Sequence, residues 1–390
     1  MESPSEEKIV CPRCGNSDPR AFGYKNGKPY CRKCLPFTGK SAEVSAKEVH
    51  EPFLKLDYAL SEEQAAVSKK LVANFVRGVD SLVYAVCGAG KTELSYVVIA
   101  CALSKGLQVG FALPRRDVVI ELYERIAAAF PKNKVTAVYG GHSDLLEGDI
   151  VILTTHQLFR YENYFDLLVM DEIDAFPFKG DPTLHAFYER SVKGRTVLLT
   201  ATPSKELLSA YSKPGREVIE LRTRFHRHPM PVPTFAYVPS FSKALYIGKK
   251  LRSYQKERRP CLVFVPSKAE AERLFVRLRP FFPRGSFVHS EDPFREAKIS
   301  LFKRRKLDYL VTTSVLERGV TVEGLQVIVA DADHEAIYDA ATLVQIAGRA
   351  GRKASCPSGE VIFLCEKKTP SIDRAIGEIR RSNEFLLKLS

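Results

Sequence analysis

Short apolar runs of strand length alternate along most of the chain with segments of helical periodicity. In the first half, runs such as SLVYAV (81–86) and FDLLVMDE (165–172) are separated by stretches such as DVVIELYERIAAAF (117–130). The same alternation restarts at CLVFVP (261–266) and continues to EVIFLC (360–365). Strands and helices that alternate in this way predict an α/β fold in which parallel sheets are flanked by helices.

Two interruptions of this pattern predict the domain organisation. A proline-rich stretch at 221–239 loses periodicity, which is typical of a linker, and a polar stretch near 36–52 follows a cysteine-rich start. The predicted organisation is a zinc ribbon at 1–40, a connector at 41–58, a first lobe at 59–220, an inter-lobe linker at 221–240 and a second lobe at 241–390.

Composition and charge favour a globular protein with a polyanionic partner. The 390 residues are 45% apolar and 27% charged, which suits two ordinary α/β domains and a small appendage. The formal net charge of +13 makes nucleic acid the leading candidate partner. The acidic, polar start has no secretory signal and no apolar run approaches the length of a membrane span, so we expect a cytoplasmic protein.

The segment AVCGAGKT at 85–92 has the features of a phosphate-binding loop. It follows a strand-like run and precedes a stretch, 92–106, with helical apolar spacing. In such P-loops backbone N–H groups surround phosphate oxygens, a lysine reaches the β and γ phosphates, and a threonine hydroxyl binds Mg²⁺. Ala85 stands where most such loops have their first glycine, so the prediction also depends on the strand-like run before the loop and the helix-like stretch after it. The predicted ATP-binding residues are Gly88, Ala89, Gly90, Lys91 and Thr92, and Lys91 is also predicted to assist catalysis.

Two carboxylates, Asp171 and Glu172, end the apolar run FDLLVMDE. The carboxyl ends of parallel strands face the ligand crevice of an open α/β sheet. We expect Asp171 to bind Mg²⁺ and Glu172 to orient and deprotonate the attacking water, because phosphoryl transfer needs positioning and charge stabilisation. Upstream, Ser61 at a predicted helix N-cap places Gln64 where it could contact the adenine edge.

The segment DAATLVQIAGRAGR at 339–352 has helical periodicity, which predicts Arg349 and Arg352 on one helix face. Two guanidinium groups on one face would share an anionic target. The second half of the sequence has no P-loop of its own, so we expect it to complete the nucleotide site of the first lobe. An arginine that reaches the γ phosphate contributes about a thousandfold or more in rate, so both arginines are predicted to be catalytic.

Four cysteines form two CxxC pairs, Cys11 with Cys14 and Cys31 with Cys34, separated by sixteen residues. This spacing predicts four thiolates around one zinc ion, and the Asn-Gly dipeptide at 26–27 predicts the hairpin of a zinc ribbon. A redox or disulfide role is the alternative. Basic and aromatic residues interleave in the ribbon, which would suit binding to single-stranded nucleic acid, docking to a protein, or a purely structural cap stabilised by metal.

The order of these motifs resembles that of the superfamily 2 helicases. The series runs from Gln64 through AVCGAGKT, ALPRRD (112–117), LTTHQL (153–158), DEID (171–174), TATP (200–203) and TTSVLERGVTV (312–322) to QIAGRAGR (345–352). The resemblance implies two RecA-like lobes, with ATP in the cleft and a nucleic-acid strand lying across both. It also implies that Arg115, Thr155, Thr313 and Arg318 contact the bound strand or the ATP site, and that Gly319 permits a close backbone approach near the nucleotide.

Within that superfamily, an amino-terminal four-cysteine site combined with DEIDAFP (171–177), TTSVLERGVTV and QIAGRAGR resembles the competence-associated ATPases. That resemblance implies an ATP-driven motor on single-stranded DNA that acts in DNA uptake during natural transformation. It also implies ComFC and the recombination mediator DprA as partners, and a peripheral association with the uptake machinery.

Three other functions remain open from the sequence. Primosomal helicases also favour an AGRAGR ending, but they carry zinc cysteines inside the helicase region. RNA helicases of the DEAD type usually read DEAD, SAT and HRIGR where this chain has DEID, TAT and QIAGR. The third alternative is a nucleotide-gated scaffold whose zinc ribbon recruits a partner.

Overall fold

The computed structural model describes residues 9–43, 53–56, 58–86, 88–173, 178, 180–224, 228–313, 322–352 and 355–387. The chain forms two compact units. The first comprises Met1–Ala85 and Gly90–Leu221, and the second comprises Val86–Ala89 and Arg222–Ser390.

The amino-terminal segment folds as a small antiparallel hairpin between short 3-10 helices. Strands β1 (Phe22–Lys25) and β2 (Lys28–Cys31) pair antiparallel, and the 3-10 helices span Pro19–Ala21 and Arg32–Cys34. The turn residues Asn26 and Gly27 have φ of 51° and 73°. Two consecutive positive φ values define the type I′ turn that the Asn-Gly dipeptide predicts.

The ribbon packs into the first unit through the segment that follows it. The Phe37 ring meets the Phe187 ring edge-on, with centroids 4.8 Å apart, and lies 5.8 Å from the Phe159 ring. Arg160 Nη1 donates a hydrogen bond of 2.7 Å to the carbonyl oxygen of Lys40. The four cysteines belong to the same buried cluster as the core of the first lobe. The ribbon is therefore a continuous part of the first unit.

The first lobe contains a parallel sheet of seven strands. These are β3 (Asp80–Ala85), β4 (Val109–Leu113), β5 (Val135–Val138), β6 (Ile150–Thr154), β7 (Phe165–Asp171), β8 (Val192–Thr200) and β9 (Arg216–Leu221). Their order is β5-β6-β4-β7-β8-β3-β9. Every residue of β4 and β6 is buried, as expected for central parallel strands covered on both faces.

The helices of the first lobe are α1 (Glu62–Arg77), α2 (Lys91–Leu94), α3 (Tyr96–Leu103), α4 (Arg116–Ala129), α5 (Pro182–Ser191) and α6 (Lys205–Tyr211), with a 3-10 helix at Thr155–Arg160. The stretch 92–106 predicted one helix, but the structure divides it at Ser95. The Ser95 hydroxyl donates a 2.6 Å hydrogen bond to the carbonyl of Thr92, and such local bonds compete with the helical pattern.

The second unit contains a parallel sheet of six strands and five helices among its described residues. The strands are β10 (Thr234–Tyr237), β11 (Cys261–Phe264), β12 (Gly285–Val288), β13 (Tyr309–Thr312), β14 (Gln326–Val329) and β15 (Val361–Cys365), in the order β10-β15-β14-β11-β13-β12. The helices are α7 (Lys243–Lys256), α8 (Lys268–Leu278), α9 (Arg295–Lys303), α10 (Ala340–Ala347) and α11 (Pro370–Leu387).

Two segments of the second unit differ from the sequence-based expectation. Strand β10 lies inside the stretch 221–240 that the prolines predicted as a linker, because Thr234–Tyr237 pairs with β15 along its full length. Helix α10 ends at Ala347 rather than continuing to 352, since Gly348 caps it and Gly351 has a φ of 60°. Among the described residues, no helix has the length and apolar character needed to cross a bilayer.

Candidate nucleotide, metal and nucleic-acid sites

The carboxyl edge of the first sheet collects the predicted catalytic segments. The strands β7, β8 and β3 are consecutive neighbours, and all are parallel. The DEID, TATP and P-loop segments follow these three strands, so they emerge side by side at one edge. This is the edge at which open α/β sheets bind ligands.

The P-loop adopts backbone conformations that favour glycine at two positions. Gly88 has a φ of 85° and Gly90 a φ of 74°, which is the left-handed region. Gly90 is the N-cap residue of α2, so Lys91 and Thr92 open that helix. The free N–H groups of a helix start, with a lysine and a hydroxyl beside them, suit the phosphates and Mg²⁺ of ATP.

Gln64 lies against the P-loop. Its Oε1 accepts a 2.9 Å hydrogen bond from the Ser61 N–H, and the Ser61 hydroxyl accepts one of 3.3 Å from the Gln64 N–H. This capping box confirms Ser61 as the N-cap of α1. A Cβ atom added to Gly90 would lie 2.6 Å from Gln64 Nε2, so the structure brings these two predicted ATP-binding residues together.

Asp171 is the last residue of β7 and Glu172 follows it. Asp171 is 9% exposed, and its Oδ1 accepts a 2.8 Å hydrogen bond from the Glu172 N–H. The same N–H lies 3.1 Å from the carbonyl oxygen of Leu199 on β8. Glu172 has a φ of 61°, which costs a residue with a side chain roughly 1–2 kcal/mol. Neighbouring contacts therefore hold the Glu172 backbone in a strained conformation at the sheet edge.

The four ribbon cysteines have the geometry of a zinc site. The Sγ atoms of Cys11 and Cys34 are 3.7 Å apart, as are those of Cys14 and Cys31, and all four lie within 4.8 Å of one another. Sulfurs about 2.3 Å from a tetrahedral zinc ion are about 3.8 Å apart, so the residues fit this metal. All four are free cysteines, and their separations far exceed a disulfide length of about 2.05 Å.

The local backbone around Cys11 favours the thiolate form that zinc requires. Burial raises the pKa of Cys11, but hydrogen bonds from the backbone of Cys14 and Arg13, together with those to the side chains of Cys14 and Cys34, lower the pKa from 9.0 to about 7. The loop closes through a 2.9 Å hydrogen bond from the Gly15 N–H to the Cys11 carbonyl. A turn that points N–H groups at sulfur stabilises a negatively charged ligand.

The residues assigned to strand contact by resemblance lie in different environments. Arg115 is half-buried at the N-cap of α4, which follows β4. Thr155 is 1% exposed after β6, so its side chain is not offered to solvent. Thr313 is 9% exposed after β13. Arg318 and Gly319 lie outside the described residues.

The predicted catalytic arginines lie in a turn after α10. Gly348 ends the helix, Arg349 is 7% exposed, and Arg352 is half-buried. A Cβ atom at Gly351 would lie 2.0 Å from the carbonyl oxygen of Pro357, so only glycine fits this turn. The two arginines are therefore positioned by a tight turn instead of the continuous helix face predicted from periodicity.

Arg224 is a buried residue that sequence reasoning missed. It is 3% exposed, and its guanidinium group binds the carbonyl oxygens of the arginine turn. Nη1 donates to Gly351 at 2.7 Å and to Ala350 at 3.4 Å, while Nη2 donates to Gly348 at 3.2 Å and to Ala350 at 3.4 Å. The carbonyls of Gly348 and Ala350 belong to the two residues on either side of Arg349, and the carbonyl of Gly351 belongs to the residue before Arg352. No local motif marks Arg224, because its partners lie more than 120 residues away.

Comparison with known proteins places the two lobes in one class. Residues 62–210 match the DEAD/DEAH box helicase family, and residues 243–354 match the helicase conserved C-terminal domain. A Dbp5 variant from S. cerevisiae, solved with RNA and ADP BeF3, shares the fold with a TM-score of 0.65 at 16% identity, covering 86% of this chain and 94% of that chain. The chain is thus a superfamily 2 helicase-like ATPase with two RecA-like lobes.

Two curated relatives match nearly the whole chain. The competence protein ComFA of Bacillus subtilis is 36% identical over 99% of this chain and 88% of its own length. ComFA of Streptococcus pneumoniae is 33% identical over 97% of this chain and 91% of its own length. The chain belongs to the ComFA family of competence proteins. Its helicase domains imply ATP and Mg²⁺ as cofactors and nucleic acid as a ligand.

Proposed function

We propose that this protein is an ATP-driven translocase on single-stranded DNA that powers DNA uptake in natural transformation. The observation that carries the proposal is the sheet edge where β7, β8 and β3 end side by side, with Asp171 and Glu172 at the end of β7 and the P-loop at the end of β3, in a chain of the ComFA family. The net charge of +13 supports a polyanionic ligand. Contacts to phosphate and sugar would give slight sequence preference and an affinity that falls as salt rises.

The residues at this edge divide the chemistry of hydrolysis between them. Lys91 and the N–H groups of the P-loop would bind the phosphates, while Thr92 and Asp171 would hold Mg²⁺, which neutralises charge on the transferred phosphoryl group. Glu172 would orient the attacking water and accept its proton. The strained backbone of Glu172 shows that its surroundings fix its position on the chain, which suits a reaction that depends on positioning.

The second lobe supplies the remaining charge in this proposal. Arg349 and Arg352 would bind the γ phosphate once nucleotide is bound, so that hydrolysis requires both lobes. Nucleotide state then changes the affinity of the protein for the strand, and the strand advances because the two states grip phosphates differently. Thr200 ends β8 at this sheet edge, and together with Thr202 it would couple hydrolysis to strand movement. Arg115, which follows β4 at the same edge, would contact the bound strand or the ATP site.

We further propose that the ribbon holds one zinc ion through Cys11, Cys14, Cys31 and Cys34, as their sulfur separations allow. Zinc would supply folding energy to a segment too small to bury a core of its own.

ComFC and DprA are the partners we propose from the family resemblance. We also propose a cytoplasmic location.

A comparison of ATPase stimulation tests the proposed substrate. The full-length protein is assayed with single-stranded DNA, duplex DNA and RNA of equal length, and single-stranded DNA is expected to stimulate most. The Glu172→Gln variant controls for contaminating ATPases, since it should retain ATP binding and lose turnover. Stronger stimulation by RNA would replace the DNA proposal with an RNA remodelling function.

The same variant tests the scaffold alternative in cells. A scaffold needs nucleotide binding but not hydrolysis, so it predicts normal transformation with Glu172→Gln. The motor predicts loss of transformation with Glu172→Gln and equally with Lys91→Ala. Normal transformation by a hydrolysis-deficient variant would refute the motor.

A further inference from the structure

We infer that the exposed face of the zinc ribbon hairpin is a second binding surface for single-stranded nucleic acid. This surface, the lysine–tyrosine face, consists of Gly23, Lys25, Lys28 and Tyr30. The register pairs Gly23 with Tyr30 and Lys25 with Lys28. Because side chains alternate between the two faces of a strand, these four residues share one side of the hairpin. The inference rests on the proposed function, since it adds a contact for the same strand.

The opposite side of the hairpin carries Phe22, Tyr24, Pro29 and Cys31, and only its end away from the turn is buried. Phe22 and Cys31 form the neighbouring cross-strand pair, and they are only 9% and 8% exposed within the core shared with the first lobe. The ribbon is held there by Phe37 and Arg160, as described above. The lysine–tyrosine face lies on the other side of the hairpin from Phe22 and Cys31, and Lys25, Lys28 and Tyr30 are all exposed.

Tyr30 presents a preorganised ring on this face. Its ring lies directly over Gly23, and a Cβ atom at Gly23 would be 2.4 Å from Tyr30 Cζ and 2.5 Å from its hydroxyl oxygen. Tyr30 is nevertheless 37% exposed, so the outer surface of the ring is available. A ring held against the backbone loses little conformational freedom when a base stacks on it, and every nucleobase offers a π face.

Lys25 and Lys28 favour the binding of an anion beside the Tyr30 ring. Like charges directly opposite each other on paired strands are destabilising, yet Lys25 and Lys28 face each other next to the turn. Among the residues that the structure describes, no carboxylate pairs with either lysine. Residues 9–43 contain seven basic and two acidic side chains, so the surroundings do not neutralise them. A phosphate backbone would relieve the repulsion while a base stacks on Tyr30.

Binding of the full-length protein to fluorescent oligothymidine, measured by anisotropy over a range of salt concentrations, tests the inference. Tyr30→Ala is expected to weaken binding by roughly 5- to 150-fold, the range for loss of one stacked base. Tyr30→Phe keeps the ring and should bind like the wild type. Gly23→Ala keeps every charge but displaces the ring, so it should also weaken binding.

The lysine pair has a matched control of equal charge. Replacing Lys25 and Lys28 by alanine should lower the slope of log affinity against log salt by about 1.4, the value for two phosphate contacts on a single strand. Replacing Arg32 and Lys33, which are exposed on the 3-10 helix after β2, removes the same charge from the same ribbon and should change the slope less. Zinc content near one ion per chain confirms that each variant ribbon is folded.

Two outcomes would overturn the inference. One is equal binding by the wild type, Tyr30→Ala and Gly23→Ala, and the other is an equal loss of salt slope in the two double variants, which would show diffuse attraction. Failure of the proposed function is a separate result, because the wild type itself would then show no ATPase stimulation by single-stranded DNA.

Discussion

Replacing Arg224 by methionine tests whether this residue positions Arg349 and Arg352, the two arginines that we propose to be catalytic. Methionine keeps an apolar stem in the buried site but removes the donors to Gly348 and Gly351, at 3.2 Å and 2.7 Å. Hydrogen bonds to a charged group contribute about 1.5–3 kcal/mol each, so the two shorter contacts predict a loss of about 3–6 kcal/mol in the free energy of unfolding.

The effect on catalysis should exceed what destabilisation alone explains. Without Arg224, the carbonyls of Gly348, Ala350 and Gly351 lose their hydrogen bonds to the guanidinium group, and a displacement of about 1 Å at a catalytic group can cost roughly 100-fold in rate. We therefore expect kcat to fall about 100-fold at a temperature where the variant is folded, while the KM for ATP changes little. Arg224→Lys keeps the charge but cannot span both carbonyls, so its kcat should be intermediate.

Arg160→Met provides the matched control. Arg160 is also buried, at 8% exposure, and donates to the carbonyls of Lys40 and Thr38 at 2.7 Å and 3.4 Å, in the first unit. It should lower the melting temperature comparably without lowering kcat. The reasoning is refuted if folded Arg224→Met turns over ATP at the wild-type rate, or if Arg160→Met lowers kcat as much.

Three further predictions concern the other elements of the two units. Removing Arg349 and Arg352 together should lower the nucleic-acid-stimulated kcat about a thousandfold, with binding of a fluorescent ATP analogue affected far less; undiminished turnover would disprove their catalytic role. Cys31→Ser should reduce zinc from one ion per chain to none, as measured by atomic emission, and make residues 9–43 susceptible to protease; full zinc content would contradict the four-cysteine site. Phe37→Ala should keep the zinc but lower the free energy of unfolding of the first unit by about 2 kcal/mol in urea titrations, since Phe37 packs edge-on against a neighbouring ring; an unchanged urea midpoint would show that this contact does not anchor the ribbon.

Sequence patterns correctly predicted those elements that depend on residues close together in the chain. The Asn-Gly turn, the Ser61 capping box and the alternation that gives two parallel sheets each depend on neighbouring residues, so the sequence exposes them directly. Periodicity failed at α10, because one glycine cap and one left-handed glycine end the helix before the arginines. Arg224 and Phe37 were missed for a different reason. Their partners are distant in sequence, and a single arginine or phenylalanine carries no local mark of its partner.

The two segments that we propose to be catalytic, at Glu172 and in the arginine turn, are held in place by opposite means. Glu172 has a side chain although its backbone is in a left-handed conformation that glycine would adopt more easily. This strain is consistent with a position where the carboxylate is needed for function. In the arginine turn, by contrast, Gly351 takes the left-handed position, and the carbonyl of Pro357 leaves no room for a side chain. There the charge sits on the neighbouring residues, and Arg224 fixes the backbone between them. In both arrangements, the backbone that carries a charged group is fixed. A reaction that is accelerated by preorganised charge requires such fixed positions.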